Sequence, residues 1–505
     1  MYGWNSKYLT RDGAPFTPTM GEFHYHRYPA GGWEKELRKM KAGGIDIVST
    51  YVFWYVHEPE EGKFDFSGQR SLRGFLEACK AVGLRAFVRL GPWCHGEARL
   101  GGMPEWMHKK DFTPRTNDEG YFAYVDRLYR RIYEECRGLE DRDGGPVIGY
   151  QLENEYGHCG GSGGNDHIDR LYDIARAAGF DAPYYTATGW GGAFIGSHCL
   201  PVMGGYADAP WDPQLTRLPP NSNFVFSPVR NDASIASDFG TEHGLTFDKE
   251  KYPFITCEMG GGLQPTFNRR PVCSGDDAAA MAMVKLGSGA NLLGYYMYHG
   301  GTNPGYDMQE SRKAGDYCEL PELSYDFMAP LGEYGTVNPQ YGTLRLWGLF
   351  MRDFGGLLAP AEPVFPDGAA RKPDDLTSPN WCYRVKDGSG FVFVNNHQRL
   401  CNRAPQRFTP DIPGVSFPEI TLADGQYAIY PFNMPVPGGR IVSAKATPLC
   451  LLNGKTTVLW ADGDPCCVTE GSPDIVILTR GEALNASKLS FDGKDCLVIA
   501  PVPVW

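Results

Sequence analysis

Over residues 1–355, short uninterrupted apolar runs alternate with helical patterns, and this cadence limits the fold more than any single motif does. The run "IDIVSTYVFW" (45–54) follows the amphipathic "WEKELRKMKAGG" (33–44), whose two glycines suit a helix stop. "LRAFVRLGPW" (84–93) follows "SLRGFLEACKAVG" (71–83), and "PVIGYQ" follows a helical stretch near 119–138. The order continues with a helix at 166–179 before "YYTATGW", then "YPFITCEMG", a helix near 276–287, "ANLLGYYMYHGG" and a closing helix over 340–355. Strands that are apolar at every position, rather than alternately, are those of a parallel sheet covered by helices on its outer face. Seven or eight such units predict an α/β fold, a (β/α)8 TIM barrel. No G-x-G-x-x-G opens a helix after a strand, which argues against a dinucleotide-binding sheet.

The pattern changes near residue 356. "LLAPAEPVFPDGAARKPDD" is rich in proline and predicts a linker or an extended wrap over 356–374. Beyond it, short β-type runs are punctuated by Asp387-Gly388, Asp424-Gly425, Asn453-Gly454, Asp462-Gly463 and Asp492-Gly493, all strong hairpin signals. The expected organisation is a catalytic barrel over 1–355 and one or two small β-sandwich-like domains over 375–505.

A formal charge of −12 with no Lys/Arg-rich block argues against a nucleic-acid partner. No apolar stretch reaches the length of a membrane span, and the N-terminus lacks a secretion-signal pattern, so a cytoplasmic location is expected. The 14 cysteines are scattered without a C-x-x-C pair, which predicts reduced thiols. No Cys/His group has metal-ligand spacing, so neither a metal nor another cofactor is expected. A homo-oligomer remains open.

In a barrel of this kind, chemistry gathers where strands end. The acidic residues at such positions are Glu22, Glu58, Glu97, Glu153, Glu155 and Glu258. Glu155 and Glu258 stand 103 residues apart. At roughly 31 residues per βα unit, three units separate them, which suits strands four and seven on facing sides of the barrel mouth. A facing carboxylate pair is what retaining glycoside hydrolysis needs: one group protonates the leaving oxygen and the other attacks the anomeric carbon. Asn154 beside Glu155 could then bond a sugar hydroxyl next to the reacting carbon. Glu22, His24 and His26 alternate as if on one strand face, which reads as barrel lining or substrate contact rather than a metal site. His57-Glu58-Pro59 reads as a strand-end hydrogen-bond clamp. Trp54, Trp93, Trp106 and Trp190 are candidates for stacking on sugar faces, with about half expected to be packing.

The segments "TYVFWYVHEPEEGKFDFSG", "GPWCHGEARLGGMPEWM", "QLENEYG", "FITCEMGGG", "GGTN" and "SYDFMAPLGEYG", in this order through residues 10–350, resemble glycoside hydrolase family 35, the β-galactosidase family. The resemblance implies a retaining exo-glycosidase on a (β/α)8 barrel followed by β domains, acting on an oligosaccharide or β-glycoside. It implies Glu155 as acid/base and Glu258 as nucleophile. Tyr51, Gly96, Glu97, Asn154 and Tyr325 match positions that grip the terminal galactose. Many family β-galactosidases carry Asn or Cys followed by Ala before the sugar-binding Glu, whereas this chain has His95-Gly96-Glu97. That departure keeps a β-glucosyl-specific enzyme or a transglycosylase as an alternative; a carbohydrate-binding protein without activity is the third reading. Many relatives also continue past the point matching Trp505 into jelly-roll domains, so the chain is either a compact subtype or has lost a piece.

Overall fold

The computed structural model describes residues 1–189, 192–212, 217–230, 245–305, 320 and 322–505. Eight parallel strands close into a barrel: β1 (Thr19–Glu22), β2 (Ile47–Tyr51), β3 (Arg85–Arg89), β4 (Val147–Gln151), β5 (Tyr184–Gly189), β6 (Cys199–Gly205), β7 (Thr256–Gly260) and β8 (Leu293–Tyr296). Each strand pairs with the next, and β8 returns to β1 through Leu293–Thr19, Gly294–Met20 and Tyr295–Gly21. The helices expected between strands form α1 (Trp33–Ala42), α2 (Leu72–Val82), α3 (Glu119–Cys136), α4 (Gly164–Ala178), α5 (Gly275–Gly287) and α6 (Pro339–Leu358). Their ends are set locally. In α2 the Ser71 hydroxyl accepts from the Gly74 amide, and Gly83 closes the helix at a φ of 76°, where a side chain would be strained.

Three elements differ from the sequence reading. β6 carries Pro201 and two glycines in "CLPVMGG", which disguise it, yet all seven residues are buried between β5 and β7. β2 ends at Tyr51, and Trp54–His57 is a single helical turn rather than strand. β1 ends at Glu22, so His24 precedes a 3-10 turn and His26 lies within it; the three residues do not alternate on one strand.

An antiparallel sheet of Tyr2–Trp4, Leu9–Arg11 and Ala14–Phe16 precedes the barrel. Leu9 is buried with Met20, Ile47, Ile148 and Leu200 of the barrel strands and with Ile255 and Leu292, which lead into β7 and β8, with Tyr2 and Phe16 packed alongside, so this sheet plugs the end opposite the strand C-termini.

Residues 356–374 hold the last turn of α6 and the edge strand Glu362–Val364, which pairs antiparallel with Trp381–Lys386 in a six-stranded sheet. The Asp387-Gly388, Asn453-Gly454 and Asp492-Gly493 pairs, with positive φ at both residues, form tight hairpins; Asp424-Gly425 and Asp462-Gly463 turn between strands that do not pair. Arg384, fully buried, fastens this β region to the barrel. It donates to Leu286 O, Ala290 O and Leu358 O, around the carbonyl ends of α5 and α6, where a cation is favoured. Buried by this sheet on one side and the barrel on the other, α5 can be apolar almost all round, as "AAAMAMV" is. No helix among the described residues is long and apolar enough to cross a membrane.

Candidate active site

The C-terminal ends of β1, β3, β4, β7 and β8 meet around one fully buried cation. Arg89, the last residue of β3, donates from Nη2 to Glu258 Oε1 (3.1 Å) and to Asn154 Oδ1 (3.1 Å), and from Nε to Gln151 Oε1 (2.8 Å). Its Nη1 pairs with Glu22 Oε2 at 3.0 Å, and its guanidinium lies 3.7 Å over the Tyr51 ring. A buried guanidinium of this kind is tolerated because the carboxylates of Glu22 and Glu258 balance its charge, while Gln151, Asn154 and Glu258 accept its hydrogen bonds.

Behind Glu22 the network continues. Arg27 donates to His24 Nδ1 (2.7 Å), which fixes the tautomer that donates from Nε2 to Glu22 Oε1 (3.1 Å). Burial holds the His24 imidazolium down to about 4, so the ring stays neutral and passes on hydrogen bonds rather than charge.

The loop after β4 turns through two left-handed residues, Glu153 (φ 54°) and Glu155 (φ 49°). They point to different tasks. Glu153 is held by Arg115 through Nε–Oε1 (3.1 Å) and Nη2–Oε2 (2.9 Å), a buried ion pair that braces the loop. Glu155 instead lines a cavity of about 140 Å³, together with Glu258, Asn154, His95, Gly96 and Glu97. With Asn154 Oδ1 committed to Arg89 and Gln151, its amide nitrogen is the group that can donate toward the cavity.

Glu155 and Glu258 hydrogen-bond each other and titrate as a pair. Burial first, and the charge of Glu155 second, push the Glu258 carboxyl up to about 8, against the opposing pull of Arg89. Burial also acts to raise Glu155, but His158, His95, the Cys159 thiol and Glu258 outweigh it and hold it below its ordinary value. At neutral pH the pair therefore carries one proton and one negative charge, with the proton on Glu258 and the charge on Glu155 in the free protein.

A match to the family model for glycosyl hydrolases family 35 runs over residues 8–350. The chain belongs to this family. It is 30% identical to the beta-galactosidase of Felis catus over 378 residues, covering 73% of this chain and 51% of that protein. To beta-galactosidase 17 of Arabidopsis thaliana it is 31% identical over 376 residues, covering 72% and 49%. This family 35 chain thus spans about half the length of the curated relatives it matches. Among solved structures, the polyextremophilic beta-galactosidase from the Antarctic haloarchaeon Halorubrum lacusprofundi superposes with a TM-score of 0.46 at 14% identity, covering 70% of this chain and 59% of that one.

Of the residues singled out in the family 35 pattern, Glu155, Glu258, Asn154, His95, Gly96 and Glu97 are brought to one cavity, while Tyr51 and Tyr325 sit behind its wall. Tyr51, buried, carries its ring against Arg89 and takes a 3.5 Å contact from Gln151 Nε2 at its hydroxyl. Tyr325 donates its hydroxyl to Glu97 and lies 2.8 Å from the Tyr296 hydroxyl, so Tyr296, Tyr325 and Glu97 form a chain ending on the carboxylate. Gly96 is glycine for two reasons: its φ is 60°, and a Cβ there would stand 2.7 Å from the Phe53 ring. Its carbonyl accepts from Arg27 Nη2 (2.7 Å), tying the His95–Glu97 turn to the Glu22 network.

The tryptophans fall mostly to packing. Trp54 donates to Glu58 Oε2 and Trp106 to the Glu58 carbonyl, while Trp93 stacks on Arg115. Trp190 lies outside the described residues. Trp211, which the sequence reading passed over, lines the cavity. Glu58, with Arg127 also on it, acts as a hydrogen-bond clamp, but it follows the Trp54–His57 turn rather than a strand end. Spacing along the chain predicted no metal ligands; the fold nevertheless brings donor atoms of His95, Glu155 and Cys159 within 4.8 Å of one another.

Proposed function

We propose that this chain is a retaining exo-acting β-glycosidase that releases terminal β-linked galactose by double displacement, with Glu155 as acid/base and Glu258 as nucleophile. The observation that carries this reading is the coupled pair itself. Two carboxyl groups close enough to hydrogen-bond leave no room for the intervening water of an inverting enzyme.

In the free protein the proton is held on Glu258; in the reactive complex it passes to Glu155, aimed at the glycosidic oxygen, and leaves the anion on Glu258. Arg89 favours that distribution, because its hydrogen bond to Glu258 Oε1 stabilises the charge and fixes the carboxylate while the other oxygen attacks. A glycosyl ester on Glu258 then forms as the leaving group departs with the proton. Glu155, now ionised, takes a proton from water, which opens the ester with net retention. Asn154 and Glu97 border the cavity where sugar hydroxyls would sit, and the Tyr296–Tyr325 chain fixes the Glu97 carboxylate. Such a fixed acceptor penalises a sugar whose hydroxyl points elsewhere.

Two experiments test this. Side-by-side rates on aryl β-galactoside and β-glucoside decide the sugar, and a glucoside preference above roughly tenfold overturns galactose. His95 lines the cavity beside Glu97, which favours a second reading in which it redirects specificity toward glucose or toward transfer. His95→Asn then shifts the ratio toward galactoside. For the roles, Glu155→Ala slows poor leaving groups far more than activated aryl ones, and added azide rescues it with a β-glycosyl azide as product. Equal losses on both leaving-group classes would remove Glu155 from the acid role.

A further inference from the structure

The loop that carries Glu155 does more than present a carboxylate. The amides of His158 and Cys159 both donate to the Glu155 carbonyl, at 3.0 and 2.8 Å, closing one helical turn. Residues four apart on such a turn share a face, so the Cys159 thiol folds back and donates to Glu155 Oε2. From the neighbouring loop after β3, His95 is turned to the same point by its left-handed backbone, φ 59°. Thiol, imidazole and carboxylate are the donor set of a tetrahedral zinc site with one position left open. Bonds of about 2.0–2.3 Å at tetrahedral angles place donors roughly 3.3–3.7 Å apart. The 4.8 Å envelope observed meets this with small side-chain rotations.

We propose that His95, Glu155 and Cys159 form an inhibitory site for a thiophilic divalent cation such as Zn2+. The ion takes the Cys159 sulfur as thiolate, a ring nitrogen of His95 and one oxygen of Glu155, and the thiol proton leaves to solvent. With an oxygen of Glu155 in a metal bond, no proton can be held there for the leaving group, so turnover stops until a chelator removes the ion. Cys159 is half-buried and the site opens onto the cavity, which gives the ion its path. The effect on rate rests on the acid role of Glu155 proposed above; the binding does not.

Binding and activity are therefore read separately, on the full chain. Titration with Co2+ should develop one equivalent of a thiolate-to-cobalt charge-transfer band that Zn2+ displaces. Cys159→Ser and Cys159→Ala should each remove that band and weaken Zn2+ binding by roughly tenfold or more. Zn2+ should inhibit the wild type reversibly, with EDTA restoring the rate, and inhibition should be weakened in the same two variants. A charge-transfer band that survives in both variants places the ion on another cysteine and overturns the proposal. So does full Zn2+ inhibition of the Cys159 variants. If the band behaves as expected while no activity is found on any glycoside, the site stands and the acid role of Glu155 falls.

Discussion

Replacing Glu258 with glutamine should abolish turnover and, at alkaline pH, stabilise the protein. The amide keeps both hydrogen bonds of the acid: its oxygen accepts from Arg89 Nη2 and its nitrogen donates to the Glu155 carboxylate. What it removes is a buried charge. The Glu258 carboxyl rises from an ordinary 4.5 to about 8, by burial first and the Glu155 charge second, so the folded state holds a proton that the unfolded chain has released. Stability from this group is full below pH 4.5 and falls as pH rises toward 8. At about 1.4 kcal/mol per pH unit the loss comes to about 5 kcal/mol, and the depressed Glu155 offsets part of it. Glu258→Gln escapes this loss. Its melting temperature should match the wild type near pH 4.5 and exceed it by several degrees at pH 9, while kcat falls on the order of 10⁴-fold or more. Thermal denaturation at pH 4.5, 7 and 9, beside rates on an aryl glycoside, provides both readings. An identical wild-type-to-variant difference at all three pH values would refute the electrostatic argument, and near-normal turnover would refute the catalytic one.

The activity of the wild type should follow a bell, since only the singly protonated pair is competent; kcat/KM should fall with a midpoint near pH 8 as the second proton leaves, and a rate still rising through pH 8 would contradict the shared proton. Arg89→Met strips the cation from two buried carboxylates, Glu22 and Glu258, and should cost about 3–5 kcal/mol. Both limbs of its pH profile should move alkaline, which a merely structural loss would not cause. Gly96→Ala forces a Cβ to 2.7 Å from Phe53 at a left-handed φ and should cost about 1–3 kcal/mol by denaturant titration, while lowering kcat/KM as the Glu97 turn shifts; unchanged stability would mean the turn is slack.

Much of the barrel was legible because its strands are buried on both faces, so apolar runs such as "IDIVSTY" have no other use in a chain of this cadence. β6 was not, because Pro201 and its glycines read as punctuation. In the structure a buried strand whose neighbours already fix its register tolerates them. The N-terminal sheet was equally hidden: strands of three residues around Asp12-Gly13 bury little by themselves, and form because Leu9 and Phe16 close the barrel end. In the C-terminal region, Asp-Gly and Asn-Gly pairs marked turns reliably but not which strands they join, since partner choice is made by long-range packing.

The site divides along the same line. Glu155 and Glu258 stood out because an acidic residue at the tip of an apolar strand costs free energy unless something uses or neutralises it. That argument applies equally to Glu22 and Glu153, and sequence alone cannot separate them. The separating factor is the location of the compensating cation. Glu153 has Arg115 to itself, which makes it a brace. Glu22 and Glu258 share Arg89, and Glu258 must also face Glu155. One guanidinium between two carboxylates, with a third beyond, leaves net negative charge in a buried space. A proton is held there at neutral pH, and positive charge developing in the cavity would be stabilised, as the proposed function needs. The signal for Arg89 was present in "RAFVR", where a cation closes an otherwise apolar strand at the end where chemistry gathers. A buried arginine at such a strand terminus marks where carboxylates converge; of the two it pairs with, Glu258 also faces Glu155 across the cavity, and that separates it from Glu22.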